Sequence, residues 1–197
     1  METNLSDFLT IISFYLIGSV PFAILTYKFM STEDPRKLGS NNPGATNMYR
    51  IAGPLPGILT FLGDFLKGFI PIYLLAEQNI TISYVYSFFI LFGHMFPIFN
   101  KFKGGKGVAT SFGFILALDY LTGLSILLVW LAVFLFKKIS GLSAVISFIF
   151  LPIFIFVFIN SIILFLIALF HSLIILFNHR TNIRELIGVL NRVIAFS

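Results

Sequence analysis

GLSAVISFIFLPIFIFVFINSIILFLIALFHSLIILF, residues 141–177, runs for 37 positions without a Lys, Arg, Asp or Glu. As a single helix it would be about 55 Å long, against a bilayer hydrocarbon core of about 30 Å. It must therefore fold back, and the polar pair Asn160-Ser161 near its middle is the expected turn. Strands of a membrane barrel alternate polar and apolar residues with period two, whereas this run is apolar at nearly every position, so its spans are read as helices.

The rest of the chain agrees. Hydrophobic residues make up 58% of 197 positions, charged ones 11%, and 26 residues are phenylalanine, more apolar surface than a water-soluble domain could leave exposed. Residues 8–30 are long for a signal-peptide core. The leading METNLSDF carries no Lys or Arg and no clean small-residue cleavage site follows, so a retained span is expected. The absence of cysteine excludes disulfides, thiolate catalysis and thiolate metal sites. The net charge of +5 sits in short loops, where topology and anionic ligands or lipid headgroups explain it; nucleic acid is not an expected partner.

Basic residues fall in four clusters: Lys28, Arg36, Lys37 and Arg50; Lys101, Lys103 and Lys106; Lys137 and Lys138; Arg180, Arg184 and Arg192. The intervening breaks, at the N-terminus, residues 77–79, residues 119–123 and Asn160-Ser161, carry none. If all four clusters face the cytoplasm, an even number of spans separates each successive pair. Residues 108–136 then form a hairpin turning near Asp119 rather than one tilted span. The expectation is an all-α, polytopic membrane protein with seven transmembrane helices: residues 8–30, 54–76, 80–99, 108–118, 121–136, 141–159 and 162–177. Its N-terminus lies outside, its C-terminus in the cytoplasm, and the chain is one domain. A five-span version, with the arms near Asp119 re-entrant or interfacial, has the same parity.

This topology puts three polar segments on one side. Residues 93–110, GHMFPIFNKFKGGKGVAT, place Lys101, Lys103 and Lys106 among Gly104, Gly105 and Gly107. Glycines there allow positive φ and close approach of a ligand, and ammonium groups beside exposed amides suit an anion. A nucleotide P-loop is excluded, because the spacing is wrong and no strand precedes it. The plainer reading is a basic turn joining two spans. Residues 34–50, DPRKLGSNNPGATNMYR, are longer than a simple helix connection and offer hydroxyl, amide and guanidinium donors to a small polar ligand, or else form an ordinary surface loop. In residues 178–184, NHRTNIR, His179 and Asn182 are one helical turn apart and can point the same way. Within the spans, Asp64 and Lys67 are spaced to form a structural ion pair, His94 reads as a core histidine without metal partners, and His171 as a donor between helices.

Together these residues resemble the bacterial membrane acyl-phosphate:glycerol-3-phosphate acyltransferases. Gly18-Ser19-Val20-Pro21-Phe22, followed by residues 38–47 and Arg50, looks like the family's first motif; Gly93-His94, Phe96-Pro97 and residues 102–110 look like its second; His179-Arg180 with Asn182-Ile183 looks like its third. The resemblance implies a seven-helix enzyme of the bacterial inner membrane with its active site toward the cytoplasm. It would act as a monomer among membrane lipids, transferring a fatty acyl group from acyl phosphate to the 1-hydroxyl of glycerol 3-phosphate. No cofactor and no metal are implied. Carried over residue by residue, Ser40, Lys106 and His179 are the catalytic set. Ser40, Arg50 and Lys106 would hold phosphate, and His179 with Asn182 would line the same polar hole. Asn42, Gly44, Thr46, Asn47, Lys103, Gly104, Gly105 and Ser143 would complete the substrate-binding set. Either His179 or a substrate phosphate oxygen would take the hydroxyl proton. The chain departs from the family pattern in Ser140-Gly141-Leu142-Ser143, where either serine could contribute, and in Glu185, which stands where the third motif usually has arginine; the closing Gly-x-Glu is missing. The alternative is a small transporter or channel for an organic phosphate, which would show polar residues through the membrane and repeat symmetry.

Overall fold

The computed structural model describes residues 5–30, 32–75 and 79–184, so Glu185 and Arg192 lie outside the described residues. Every regular element among the described residues is helical, and the chain divides into two compact units, Met1–Gly123 and Leu124–Ser197.

The first unit contains α1 (Leu5–Gly18), α2 (Phe22–Phe29), α3 (Ala45–Ala52), α4 (Pro54–Leu74), α5 (Ile80–Met95), a 3-10 turn at Ile98–Asn100, and α6 (Val108–Leu118). The expected continuous first span, residues 8–30, is corrected: it is two helices bent by 41° at Ser19-Val20-Pro21. Pro21 lacks an N–H and disfavours helical geometry at the residue before it, so the ladder stops there. The expected third span, residues 80–99, matches the apolar stretch Ile80–Asn100, within which α5 ends at Met95 and the 3-10 turn follows Pro97. α4 packs on α6 at very short range. Gly68 lies against the Thr110 carbonyl and Gly113 against the Phe65 carbonyl, and any Cβ at either position would collide. Small residues at such crossings let helix backbones meet where no hydrophobic drive operates between helices in lipid.

A helix break falls where the turn was expected, at Asp119. α6 stops at Leu118, and α7 (Tyr120–Lys137) begins directly after Asp119, whose carboxylate accepts the Thr122 N–H at 2.7 Å. The second unit holds α8 (Ser140–Ile159) and α9 (Ile162–Asn178), which pack on each other. Their break is the expected Asn160-Ser161, with Asn160 left-handed at φ 54° and Ser161 capping α9 through the Leu164 N–H at 3.4 Å.

Among the described residues, four helical stretches are long and apolar enough to cross a bilayer, Pro54–Leu74, Ile80–Asn100, Tyr120–Lys137 and Ser140–Ile159; α1 and α2 make a fifth if they count as one bent span. α6 and α9 are apolar but shorter. The chain is a multi-pass helical membrane protein.

Candidate active site

The segment between α2 and α3 is held by its own polar side chains. Asp34 and Arg36, separated by Pro35, form a forked ion pair, with Nη2 2.8 Å from Oδ2 and Nε 2.9 Å from Oδ1. The hydrogen bonds from Arg36 hold the Asp34 carboxyl below the usual carboxylate range. Asn47, buried in α3, accepts the Ser40 N–H at 2.9 Å and donates to Pro35 O at 2.9 Å and Leu38 O at 3.0 Å. Its amide is thus engaged in shaping the turn that presents Ser40. Ser40 and Arg50 are exposed, while Asn42, Gly44 and Thr46 are half-buried around the start of α3.

The glycine-lysine segment differs from expectation in an instructive way. Of its three glycines only Gly107 has positive φ, 90°, while Lys101 and Phe102 take left-handed conformations at 53° and 58°. Gly104 and Gly105 are needed for space instead. A Cβ at Gly104 would strike the His94 carbonyl, and one at Gly105 would strike the His94 ring. Their amides do not form the expected anion nest either: Gly104 donates to Met95 O at 3.1 Å and Gly105 to His94 O at 3.2 Å. Through these two amides the loop is stitched to the end of α5. Lys103 is exposed and Lys106 half-buried just ahead of the first turn of α6.

These two segments meet. Arg36 Nη1 donates to Asn100 Oδ1 at 2.9 Å, while the Asn100 amide donates to the Lys103 carbonyl. Pro43, Lys103, Gly104 and Gly105 line one small cavity, whose floor includes Asp64, Lys67 and His94. Within the first unit this cavity thus joins Pro43 of the first motif to Lys103, Gly104 and Gly105 of the second, while Ser40, Arg50 and Lys106 are not among the residues that line it. Sequence reading counted Arg36 in a basic cluster and named neither Arg36 nor Asn100 as a site residue. The signal was present in an Asp-Pro-Arg run that fixes an aspartate against an arginine two residues on.

The expected ion pair in α4 is found, with Lys67 Nζ 2.8 Å from Asp64 Oδ1 and both side chains only 4% exposed. His94 joins it, with Nδ1 3.5 Å from the same Asp64 oxygen and 3.1 Å from Thr110 Oγ1. Neither connection was foreseen.

Ser143, His179 and Asn182 belong to the second unit. His179 ends α9, and its Nδ1 lies 2.8 Å from the Ile175 carbonyl. A carbonyl can only accept, so Nδ1 carries a proton. The backbone resumes helical form at residues 180–184, which places Asn182 against Gly141; a Cβ there would stand 3.0 Å from the Asn182 amide carbon. Ser143 is buried two residues further along α8 and donates to Ile139 O at 3.0 Å.

A family model described as glycerol-3-phosphate acyltransferase matches residues 8–188. A glycerol-3-phosphate acyltransferase of Ruthia magnifica subsp. Calyptogena magnifica is 43% identical over 177 residues, covering 88% of this chain and 89% of its own. One from Cupriavidus taiwanensis is 39% identical over 191 residues, covering 93% and 94%. The crystal structure of PlsY, an integral membrane glycerol 3-phosphate acyltransferase, in its glycerol 3-phosphate form superposes with a TM-score of 0.87 at 36% identity, covering 93% of this chain and 92% of that one. Its lysophosphatidic acid form gives 0.85 at 35%.

Proposed function

The chain belongs to the glycerol-3-phosphate acyltransferase family, and from that premise we propose that it transfers a fatty acyl group from acyl phosphate to the 1-hydroxyl of glycerol 3-phosphate, yielding lysophosphatidic acid and phosphate. The observation that carries this reading is the near full-length likeness to a structure solved in a glycerol 3-phosphate form. The product form of that structure supports the direction of transfer.

Acyl phosphate is an activated mixed anhydride, so the protein has to align two anions and stabilise charge on the carbonyl oxygen and the departing phosphate. The glycerol hydroxyl oxygen attacks the acyl carbon, the bond from that carbon to the bridging phosphate oxygen breaks, and phosphate leaves with the electron pair. In this reading Ser40, Arg50 and Lys106 hold phosphate, Lys103 adds charge at the loop, and Asn42, Gly44, Thr46, Gly104, Gly105 and Ser143 shape the substrate's surroundings. Asn47 contributes through the turn it clamps. In the same reading His179, with Asn182 as its companion in substrate binding, accepts the hydroxyl proton, a role a substrate phosphate oxygen could also fill. The acyl chain lies among apolar helices, where each buried methylene contributes about 0.8 kcal/mol.

The seven-span arrangement goes with this reading, as a single domain of the bacterial inner membrane that works as a monomer. Residues 8–30 cross as the bent α1–α2 pair and the six helices α4 to α9 cross once each, with the N-terminus outside and the site facing the cytoplasm. Cysteines introduced at Asp119 and Asn160 should react with an impermeant maleimide from outside intact cells; reaction from inside only would end the seven-span arrangement. The functional test is purified protein in detergent with palmitoyl phosphate and glycerol 3-phosphate, measuring phosphate release and lysophosphatidic acid. Product is expected with this donor and not with acyl-CoA, and Lys106→Ala should lower kcat/KM by about a hundredfold, as loss of one charge-stabilising group does. Product from acyl-CoA alone would overturn the donor assignment.

A further inference from the structure

Buried charge is costly in lipid, and a buried ion pair adds little stability over apolar residues of the same size. The Asp64–Lys67 pair should therefore be doing more than joining one turn of α4 to the next, and its partners show what. Lys67 Nζ also donates to Val20 O at 2.8 Å, in the break between α1 and α2. Asp64 Oδ1 faces His94 Nδ1, which Thr110 Oγ1 meets from the start of α6. The other edge of the same ring, Nε2, lies directly under Gly105, and the His94 and Met95 carbonyls take the amide protons of Gly105 and Gly104. The His94 ring is thus wedged between α4 and α6 with the glycine-lysine loop resting on it.

We propose that Asp64, His94 and Thr110 are positioning residues for the transfer reaction: they fix the His94 ring as the seat of the loop and so set where Lys103 and Lys106 stand relative to a phosphate-bearing substrate. The proposal rests on the acyltransferase reading for its substrate but not for its geometry. None of the three touches substrate in it; they act through Gly104 and Gly105. A one-ångström displacement of a binding loop is enough to weaken a phosphate contact substantially while the fold stands.

Thr110→Val keeps the shape of the side chain, leaves Asp64 and Lys67 paired and removes only the hydroxyl that meets the ring. With palmitoyl phosphate saturating, it should raise KM for glycerol 3-phosphate by about tenfold while kcat stays within about threefold, the pattern of lost binding rather than lost chemistry. His94→Phe should do the same or more, and Thr110→Ser should restore KM to within about twofold of the parent. A readout independent of activity uses the cysteine-free sequence: a single Lys103→Cys should react with maleimide about threefold faster when Thr110→Val is added, because the loop is less firmly seated. Unchanged KM and unchanged labelling in Thr110→Val would overturn the proposal, as would a fall in kcat with KM unmoved or a Thr110→Ser as impaired as Thr110→Val. If the parent protein turned over neither acyl donor, the acyltransferase reading would fail, and the labelling rates alone would decide whether this seat exists.

Discussion

Two prolines, Pro152 inside a helix and Pro21 between two, each withhold an N–H from the backbone ladder, with different outcomes. A proline inside an apolar helix leaves the carbonyl four residues earlier without its N–H partner, and in lipid no water is there to replace it. Pro152 sits in the middle of α8, which continues unbroken from Ser140 to Ile159. The carbonyl it orphans is that of Phe148, and Ser172 of α9 donates to that oxygen at 2.6 Å. A neighbouring hydroxyl mends the ladder and the helix goes on. Pro21, by contrast, lies in the break between α1 and α2: the carbonyl four residues earlier, that of Ile17, takes the Val20 N–H at 3.2 Å, the chain bends by 41°, and the Val20 carbonyl is met by the Lys67 ammonium. At Pro152 the ladder is repaired; at Pro21 the break stays open and a charged cluster stands beside it. Between Ser140 and Phe177 no Asp, Glu, Lys or Arg occurs, and serines there donate to carbonyls one turn back, Ser143 to Ile139 O at 3.0 Å and Ser147 to Ser143 O at 2.7 Å. Charge enters the buried part of this protein where the backbone leaves helical geometry beside the candidate site.

The largest effect should come from breaking the charged solution. Asp64→Leu leaves the Lys67 ammonium buried without its counter-charge and should cost about 3–5 kcal/mol, seen as loss of folded protein in detergent. Asp64→Leu with Lys67→Leu removes both charges and should recover most of that stability, though Val20 O then lacks its donor and the His94 ring lacks one wall. The double variant should therefore fold and yet bind glycerol 3-phosphate poorly. Full activity in the folded double variant would show that the cluster is only cement, and the contrast with α8 would collapse.

A smaller effect tests whether charge also organises the loops above the cluster. Asn100→Ala removes the acceptor of Arg36 Nη1 and the donor to the Lys103 carbonyl, and should cost about 1–2 kcal/mol, with faster proteolysis of the segment between α2 and α3. Acidification should not mimic it. The Asp34 carboxyl is held below its ordinary value, so the contribution of the Asp34–Arg36 pair is complete above the unfolded pKa of about 3.9 and is lost only as pH falls through the still lower folded value. Lowering the pH from about 7 to about 5 should leave Arg36 in place. Proteolysis of that segment that quickens over this range would mean another group holds it.

The helices could be read from the sequence because length and uniform apolarity leave a lipid-embedded chain little choice, and the breaks at Asp119 and Asn160 are polar residues in otherwise apolar runs. The bend at Pro21 was hidden because Gly18 to Phe22 is apolar enough to pass for helix interior; what breaks it is the missing N–H, not hydropathy. The glycine-lysine segment was recognisable as special, but the reason for two of its glycines was not. Gly104 and Gly105 are fixed by what lies beneath them, the backbone and ring of His94, and a one-dimensional reading sees glycine as freedom when here it is room. The Arg36–Asn100 and Asp64–His94 contacts span 64 and 30 positions, 100 minus 36 and 94 minus 64, and no local periodicity announces them.

The smallest effect offers the sharpest measurement, because it can be made to vanish. Ser172→Ala removes the hydroxyl shared between Phe148 O and Ala168 O, the latter at 2.9 Å. Ala168 O keeps its helical partner, so the cost falls on Phe148 O, and single interhelical bonds of this kind in membranes are worth about 0.6 kcal/mol, with about 1.7 at the upper end. Pro152→Ala would give Phe148 O an N–H from its own helix, and in that background Ser172→Ala should cost only a few tenths, about 0.3 kcal/mol, by reversible unfolding in mixed detergent. The difference between the two backgrounds is the coupling energy between a proline on α8 and a serine on α9. A coupling near zero would mean that the serine is merely packed there, that the orphaned carbonyl tolerates its state unaided, and that the first unit's lysine at Val20 must then be explained by the site it borders rather than by the needs of a broken helix.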